Sequence, residues 1–216
     1  MENLTKIPWI ILHLNLYVEQ LVSSYGSWIY AVLFIVILCE TGLVVTPFLP
    51  GDALLFTVGT MTGAEGSLNL PFTLMLLSLA AVLGDSINYT IGASLGERLF
   101  KDPNSRIFNR RYLEQTHRFY EKHGAKTIVL ARFLPIIRTF APFIAGMGSM
   151  QYRRFLRYNL AGAFIWVFSV VLLGHFFGKI PFVQKNFSLV IVAIILISMI
   201  PPAIEFWRGW NDRSKA

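Results

Sequence analysis

The chain has 216 residues, 55% of them hydrophobic and only 14% charged, with a formal net charge of +7. Soluble domains carry about 25% charged residues, so the composition excludes an ordinary soluble domain. It points to one membrane domain covering 1–216.

The positive charge does not indicate nucleic acid, because of where it lies. Eight of the 19 Lys and Arg fall between Arg98 and Lys126, three at Arg153, Arg154 and Arg157, and three at Arg208, Arg213 and Lys215. Against them stand Lys6, Lys179 and Lys185. This positive-inside pattern predicts that 98–126 and the C-terminal tail face the cytoplasm, with 63–70 and 179–185 on the other side. Met1–Lys6 lacks the basic n-region and small-residue cleavage site of a secretory signal, so no cleavable signal is expected. The single cysteine, Cys39, has no partner for an internal disulfide and reads as packing.

In chain order, 8–24 is apolar but carries His13, Asn15, Glu19 and Gln20, which predicts an interfacial helix ended by Gly26. An uncharged run from Ser27 to Cys39 enters the membrane and reaches Glu40. The stretch Glu40-Thr41-Gly42-Leu43-Val44-Val45-Thr46-Pro47-Phe48-Leu49-Pro50-Gly51-Asp52 follows. Pro47 and Pro50 remove backbone donors, and irregular backbone at membrane depth survives only where protein or a cavity satisfies it. A broken, re-entrant hairpin is therefore expected here, with Ala53–Thr62 as its returning half. Ten residues rise about 15 Å, half of a hydrocarbon core of roughly 30 Å.

Gly63–Leu70 reads as a polar loop. Pro71 suits a first helical turn, and 72–98 is long enough to span, carrying Asp85 in Gly84-Asp85-Ser86-Ile87-Asn88-Tyr89. Arg110–His123 is amphipathic, with Tyr112, Leu113, Thr116, Phe119 and Tyr120 on one face. Gly124 ends it. Lys126–Arg138 is again too short to cross before Pro135, and continues through Pro142 to Gly148. This is a second broken hairpin, expected to enter from the cytoplasm. Tyr158–Gly178 offers 21 residues without Lys, Arg, Asp or Glu, and Asn186–Ile204 another 19, about 28 Å.

The two halves repeat one order: interfacial helix, glycine, proline-broken hairpin, crossing. Tyr17-Val18-Glu19-Gln20 before Gly26 is echoed by Tyr112-Leu113-Glu114-Gln115 before Gly124. The expected fold is thus an all-α integral membrane protein with two opposed re-entrant hairpins in an inverted repeat. Interfacial amphipathic helices and about three full transmembrane helices complete it. Repeat 1 covers about 8–98 and repeat 2 about 109–178, with an extra C-terminal crossing at about 186–207. Inverted repeats with discontinuous helices are a transporter design.

Four charges stand at the hairpins: Glu40 and Asp52 in the first, Arg132 and Arg138 in the second. Charges in low dielectric pair, or hold a charged ligand between them. Arginine presents a planar fork suited to phosphate, and broken helix ends add N–H donors. Arg132 and Arg138 are the candidate substrate-binding residues. Carboxylates in apolar surroundings exchange protons nearer neutral pH than in water, so Glu40 and Asp52 are candidates for proton coupling or charge pairing. The alternative is that all four form internal salt bridges. Pro47, Pro50, Gly51 and Pro135 are the supporting backbone breaks, with Asp85 divided between a structural role, satisfied by Asn88 and Tyr89, and a functional one. His175 reads as an interfacial histidine. Gly92/Gly96 and Gly174/Gly178 have the spacing of close helix packing, and Arg110-Arg111 and Arg153-Arg154-Arg157 that of headgroup contacts. No phosphate loop, His/Cys metal set or Ser-His-Asp constellation is present. No cofactor, metal or catalysis is expected.

At these residues the sequence resembles the DedA family of bacterial inner-membrane proteins, also described as SNARE-associated or VTT-domain proteins. The matching stretches are Glu40-Thr-Gly…Pro47-Phe-Leu-Pro50-Gly51-Asp52, Gly84-Asp85…Asn88-Tyr89…Gly92…Gly96 and Phe119-Tyr-Glu-Lys-His-Gly124. The most specific is Arg132-Phe-Leu-Pro135-Ile-Ile-Arg138-Thr-Phe-Ala-Pro142…Ala145-Gly146-Met147. The resemblance implies two opposed re-entrant hairpins with flanking transmembrane helices, in the bacterial inner membrane. It implies translocation of undecaprenyl phosphate, the polyprenyl carrier lipid, for recycling, with proton coupling as a further expectation. It also implies that the acidic and arginine positions required are Glu40, Asp52, Arg132 and Arg138. The alternatives are a proton-coupled antiporter of small cations or drugs, a general phospholipid scramblase, and a non-transporting membrane-organising protein. The expected partners are a polyprenyl phosphate or other anionic lipid, protons and the bilayer. A homo-oligomer is compatible with the sequence; nucleic acid is not.

Overall fold

The structure, a computed structural model, describes residues 26–43, 51–62, 68–99, 126–148 and 150–194. All regular structure among them is helical. The interfacial helices expected at 8–24 and 110–123, the Pro47–Pro50 break, most of the loop 63–70 and the tail lie outside the described residues.

A 3₁₀ turn, Gly26–Trp28, opens on Gly26 at φ +51°, a conformation that glycine adopts without penalty. Helix α1, Ile29–Gly42, follows and carries Glu40. Its buried residues Ile29, Leu33, Ile37 and Glu40 fall at helical spacing, so the carboxylate sits on the inward face. Helix α2, Gly51–Thr60, has the ten-residue length read from the sequence but starts two residues earlier, at Gly51.

Helix α3, Leu70–Leu99, is one of two helices among the described residues that are long and apolar enough to cross a membrane. The Asn69 carboxamide oxygen accepts from the Phe72 N–H at 3.0 Å, an N-cap, with Pro71 inside the first turn as its missing N–H allows. Phe72, Met75, Leu79, Leu83 and Ile87 form an exposed apolar stripe along α3, a face suited to lipid rather than water.

Helix α4, Lys126–Ala131, has only six residues, and α5, Pro135–Met147, has thirteen. They rise about 9 and 20 Å, so neither crosses a core of roughly 30 Å. The break between them falls at Arg132–Leu134, ahead of Pro135 in the first turn of α5. The helix then runs on through Pro142. Helix α6, Tyr152–Phe177, is the second membrane-length helix. Helix α7, Pro181–Lys185, is short, and helix resumes over 187–194; the rest of the expected third crossing lies outside the described residues.

The chain divides into two compact units, interleaved in sequence: Met1–Ile35, Phe48–Leu77 and Trp166–Ala216 in one, and Val36–Pro47 with Ser78–Ile165 in the other. In the first, Ala53 and Phe56 of α2 pack with Phe187 and Ile191. Here α2 and α6 touch backbone to backbone. A Cβ on Gly174 would lie 2.1 Å from the Phe56 carbonyl oxygen, and one on Gly59 2.2 Å from that of Val171. The Thr62 hydroxyl and His175 Nδ1, 2.9 Å apart, close the same contact, which gives His175 a structural partner.

Because the opposing atoms are backbone, Gly174→Ala is expected to force the helices apart, at a cost of about 1–3 kcal/mol. A lowered unfolding midpoint of the purified protein in detergent checks this.

Candidate functional site

The second unit gathers most of the buried charge. The C-terminal end of α1 lies against α3 at Gly84, where a Cβ would meet the Thr41 hydroxyl and the Leu38 carbonyl. Next, α3 lies against α5, because Gly92 faces the Phe143 carbonyl and Gly146 faces that of Tyr89. Of the Gly92/Gly96 pair read from the sequence, Gly92 thus serves close packing. Tyr89 stacks on Phe155 with ring centroids 4.6 Å apart, and its hydroxyl donates to the Met150 carbonyl.

Four ionisable side chains are sealed inside this arrangement: Glu40 at 1% exposed, Asp85 at 1%, Arg132 at 2% and Arg138 at 4%. They form two ion pairs. Arg138 Nη2 donates to Glu40 Oε1 at 2.6 Å, and Arg132 Nη2 donates to Asp85 Oδ2. Breaking such a pair strands a buried charge, so each pair fixes its two helices to each other.

Amide side chains hold the pairs in place. Asn88, fully buried on α3, donates through Nδ2 to the backbone carbonyls of Thr41 and Thr139, at 3.2 and 2.7 Å. These are the residues that follow Glu40 and Arg138 in the chain, so one side chain ties both backbones beside the pair. Asn159 of α6 donates through Nδ2 to the Val82 carbonyl at 3.1 Å, which turns its Oδ1 toward Arg132 Nη2. Gly162, one turn on, makes room for the Arg132 stem, since a Cβ there would lie 2.9 Å from Cδ and 3.1 Å from Nε. Gly162→Ala is expected to leave a folded protein with a displaced guanidinium. An unfolding midpoint in detergent close to that of wild type checks this, since the nearest clash is with a side chain that can move.

Asp52 lies in the other unit, in the first turn of α2 beside buried Gly51. Its Oδ1 accepts from the indole N–H of Trp166 at 2.7 Å, and Trp166 is the largest fully buried side chain described.

The structure therefore brings Glu40 and Arg138 together, and it sets Arg132 against Asp85. The sequence reading offered Asn88 and Tyr89 as the groups that satisfy Asp85; their donors are used elsewhere, and Arg132 takes that place. Pro135 opens α5 as expected, while Pro47 and Pro50 lie outside the described residues. Asn159, Gly162 and Trp166 were missed. Two of them left a trace: Asn159 is a lone amide entering an uncharged crossing, and Trp166 lies mid-crossing, away from the interfacial belts where Trp collects.

The family profile for the VTT domain matches residues 49–176. The chain is 56% identical over 207 residues to Protein DedA of Escherichia coli K12, covering 95% of this chain and 94% of that one. It is 41% identical over 196 residues to an uncharacterized membrane protein of Mycobacterium tuberculosis H37Rv, covering 89% and 85%. To the inner membrane protein YqjA of Escherichia coli K12 it is 32% identical over 177 residues, covering 82% and 80%. No solved structure matches the chain. With α3 and α6 long enough to span and a VTT domain over more than half its length, the chain belongs to the DedA family of membrane proteins.

Proposed function

We propose that this protein is a lipid carrier of the bacterial inner membrane that moves undecaprenyl phosphate across the bilayer for reuse, coupled to protons. The observation that carries the reading is the pair of buried arginines on one broken helix. Arg132 sits in the break before Pro135, and Arg138 sits one turn into α5. Two guanidinium groups at membrane depth are costly unless they serve something negatively charged. Phosphate is the anion their planar forks fit best, and a polyprenyl tail remains in lipid while the headgroup crosses.

Glu40 and Asp85 keep the arginines neutralised in the empty carrier; a proton taken up by Glu40 would release Arg138 for the ligand, while Asp85 stays ionised beside Arg132. On this reading α4 and α5 are the two limbs of a re-entrant hairpin. The chemistry needed is binding and release, with no bond made or broken.

The topology follows from the charge distribution. In a Cys39→Ser background, a cysteine at position 66 is expected to react with an impermeant thiol reagent on intact spheroplasts, and one at position 104 only after they are opened. The reverse pattern contradicts the orientation.

The direct test is reconstitution. Purified protein in vesicles is expected to expose labelled undecaprenyl phosphate to an external reagent faster than protein-free vesicles do, and to leave labelled phosphatidylglycerol where it was. Equal movement of both lipids indicates a scramblase. Proton-driven release of a small cation without lipid movement indicates an antiporter, and either result contradicts the proposal.

A further inference from the structure

Around the Arg132–Asp85 pair, several buried polar atoms have no hydrogen-bond partner among the described residues. Arg132 spends Nη2 on both Asp85 and Asn159, which leaves Nε and Nη1 unmatched. Asp85 spends Oδ2 on Arg132 and leaves Oδ1. Asn88 spends its amide nitrogen on two carbonyls and leaves Oδ1. Buried polar groups of this kind are nearly always satisfied by something, so these atoms describe an occupant.

They also describe its chemistry, because they are of two opposite kinds. Arg132 Nε and Nη1 are donors and need an acceptor. Asn88 Oδ1, like Asp85 Oδ1 on an ionised carboxylate, is an acceptor and needs a donor. Asp85 and Asn88 stand three residues apart on α3, where side chains are neighbours on one face. Neither acceptor can be turned away cheaply. Rotating the Asn88 amide would lose two bonds to backbone, and rotating Asp85 would break its contact with Arg132. The occupant must accept and donate at once.

The geometry points to a site at Arg132, Asp85 and Asn88 that reads the hydrogen phosphate of a phosphate monoester and discriminates against phosphate diesters. The inference rests on the lipid-carrier reading above and supplies its selectivity. In a hydrogen phosphate monoester, the P–O⁻ oxygens accept from Arg132 while the P–OH donates to Asp85 or Asn88. The second ionisation of a phosphate monoester lies near pH 6, so a proton on the headgroup is within reach of physiological conditions. A diester has no P–OH. Its ester oxygens would face the Asp85 and Asn88 oxygens lone pair to lone pair, leaving buried acceptors unmatched. Bulk membrane phospholipids are diesters and a polyprenyl phosphate is a monoester, so this contact alone separates the carrier lipid from the bilayer around it.

The test uses the full chain in nanodiscs with farnesyl phosphate and its methyl diester as probes, binding being followed by calorimetry. Wild type is expected to bind the monoester at least tenfold more tightly than the diester. Asn88→Ala removes an acceptor without changing charge, and the ratio is expected to fall to about threefold or less. A preference that reflected only the extra charge of a monoester would survive that substitution, and its survival overturns the inference. Asp85→Asn, which turns an acceptor into a donor toward the ligand, is expected to narrow the ratio as well, and serves if Asn88→Ala fails to fold. Equal binding of both probes to wild type means that the unmatched atoms hold only water; it overturns the inference and leaves the carrier reading standing. Binding of neither probe overturns both.

Discussion

Neutralising Glu40 alone, as Glu40→Gln, is expected to destabilise the protein by about 3–5 kcal/mol, because it leaves Arg138 charged and buried opposite a neutral amide. Arg138→Gln alone should do the same in reverse. The double variant Glu40→Gln/Arg138→Gln should recover most of the loss, since two neutral amides can bond each other where the ions did. A buried ion pair is weak evidence for stability in itself, and its matched replacement is often close to neutral. A double-mutant cycle on unfolding in detergent measures the coupling, which is expected to exceed about 2 kcal/mol for groups 2.6 Å apart and 1–4% exposed. Transport should not recover with stability. If the pair only braced α1 against α5, the double variant would be both stable and active.

Arg132→Lys is expected to be folded and defective. Lysine still balances Asp85, so the stability cost should be about 1 kcal/mol. The ammonium, however, is a single point of three donors, whereas Arg132 serves Asp85 and Asn159 from one nitrogen and holds two more in reserve. A lysine that reaches both oxygens keeps a single donor and no planar fork for a phosphate. Losing a charge-assisted contact of about 1.5–3 kcal/mol corresponds to a tenfold to hundredfold loss of carrier-lipid affinity. Titration of undecaprenyl phosphate into the purified variant checks this; affinity within about twofold of wild type would remove Arg132 from the ligand site.

These expectations show which features the sequence carried. Local signals were legible: the uncharged run into Glu40, the ten-residue span of α2, Pro71 in the first turn of α3, and the break before Pro135. Each is a matter of neighbouring residues and of the backbone donors that proline removes. The buried charges Glu40, Arg132 and Arg138 stood out too, because an ionisable residue in an apolar run is conspicuous by its cost.

Pairing was not legible. Asp85 was given Asn88 and Tyr89, its neighbours in sequence, but balancing its charge needs a cation, and the one that packs there comes from 47 positions away. Asn88 and Tyr89 bind backbone carbonyls instead, Asn88 those of Thr41 and Thr139, and Tyr89 that of Met150. Asp52 looked equivalent to Glu40 in the sequence, yet it accepts from Trp166 in the other unit, because its helix packs against α6. Such partners are fixed by which helix faces meet. The glycines that let those faces meet, such as Gly84 and Gly162, declare nothing until the opposing atoms are known.

The central claim, that the buried charges of α1, α3 and α5 and of the α4–α5 break serve a ligand rather than a scaffold, is tested most directly by carrier-lipid movement in vesicles made with charge-balanced variants. Glu40→Gln/Arg138→Gln and Asp85→Asn/Arg132→Gln each remove a pair without stranding a charge. Both are expected to reconstitute as folded protein and to leave labelled undecaprenyl phosphate at the rate of protein-free vesicles, while wild type moves it. Movement at the wild-type rate by both balanced variants would contradict the account.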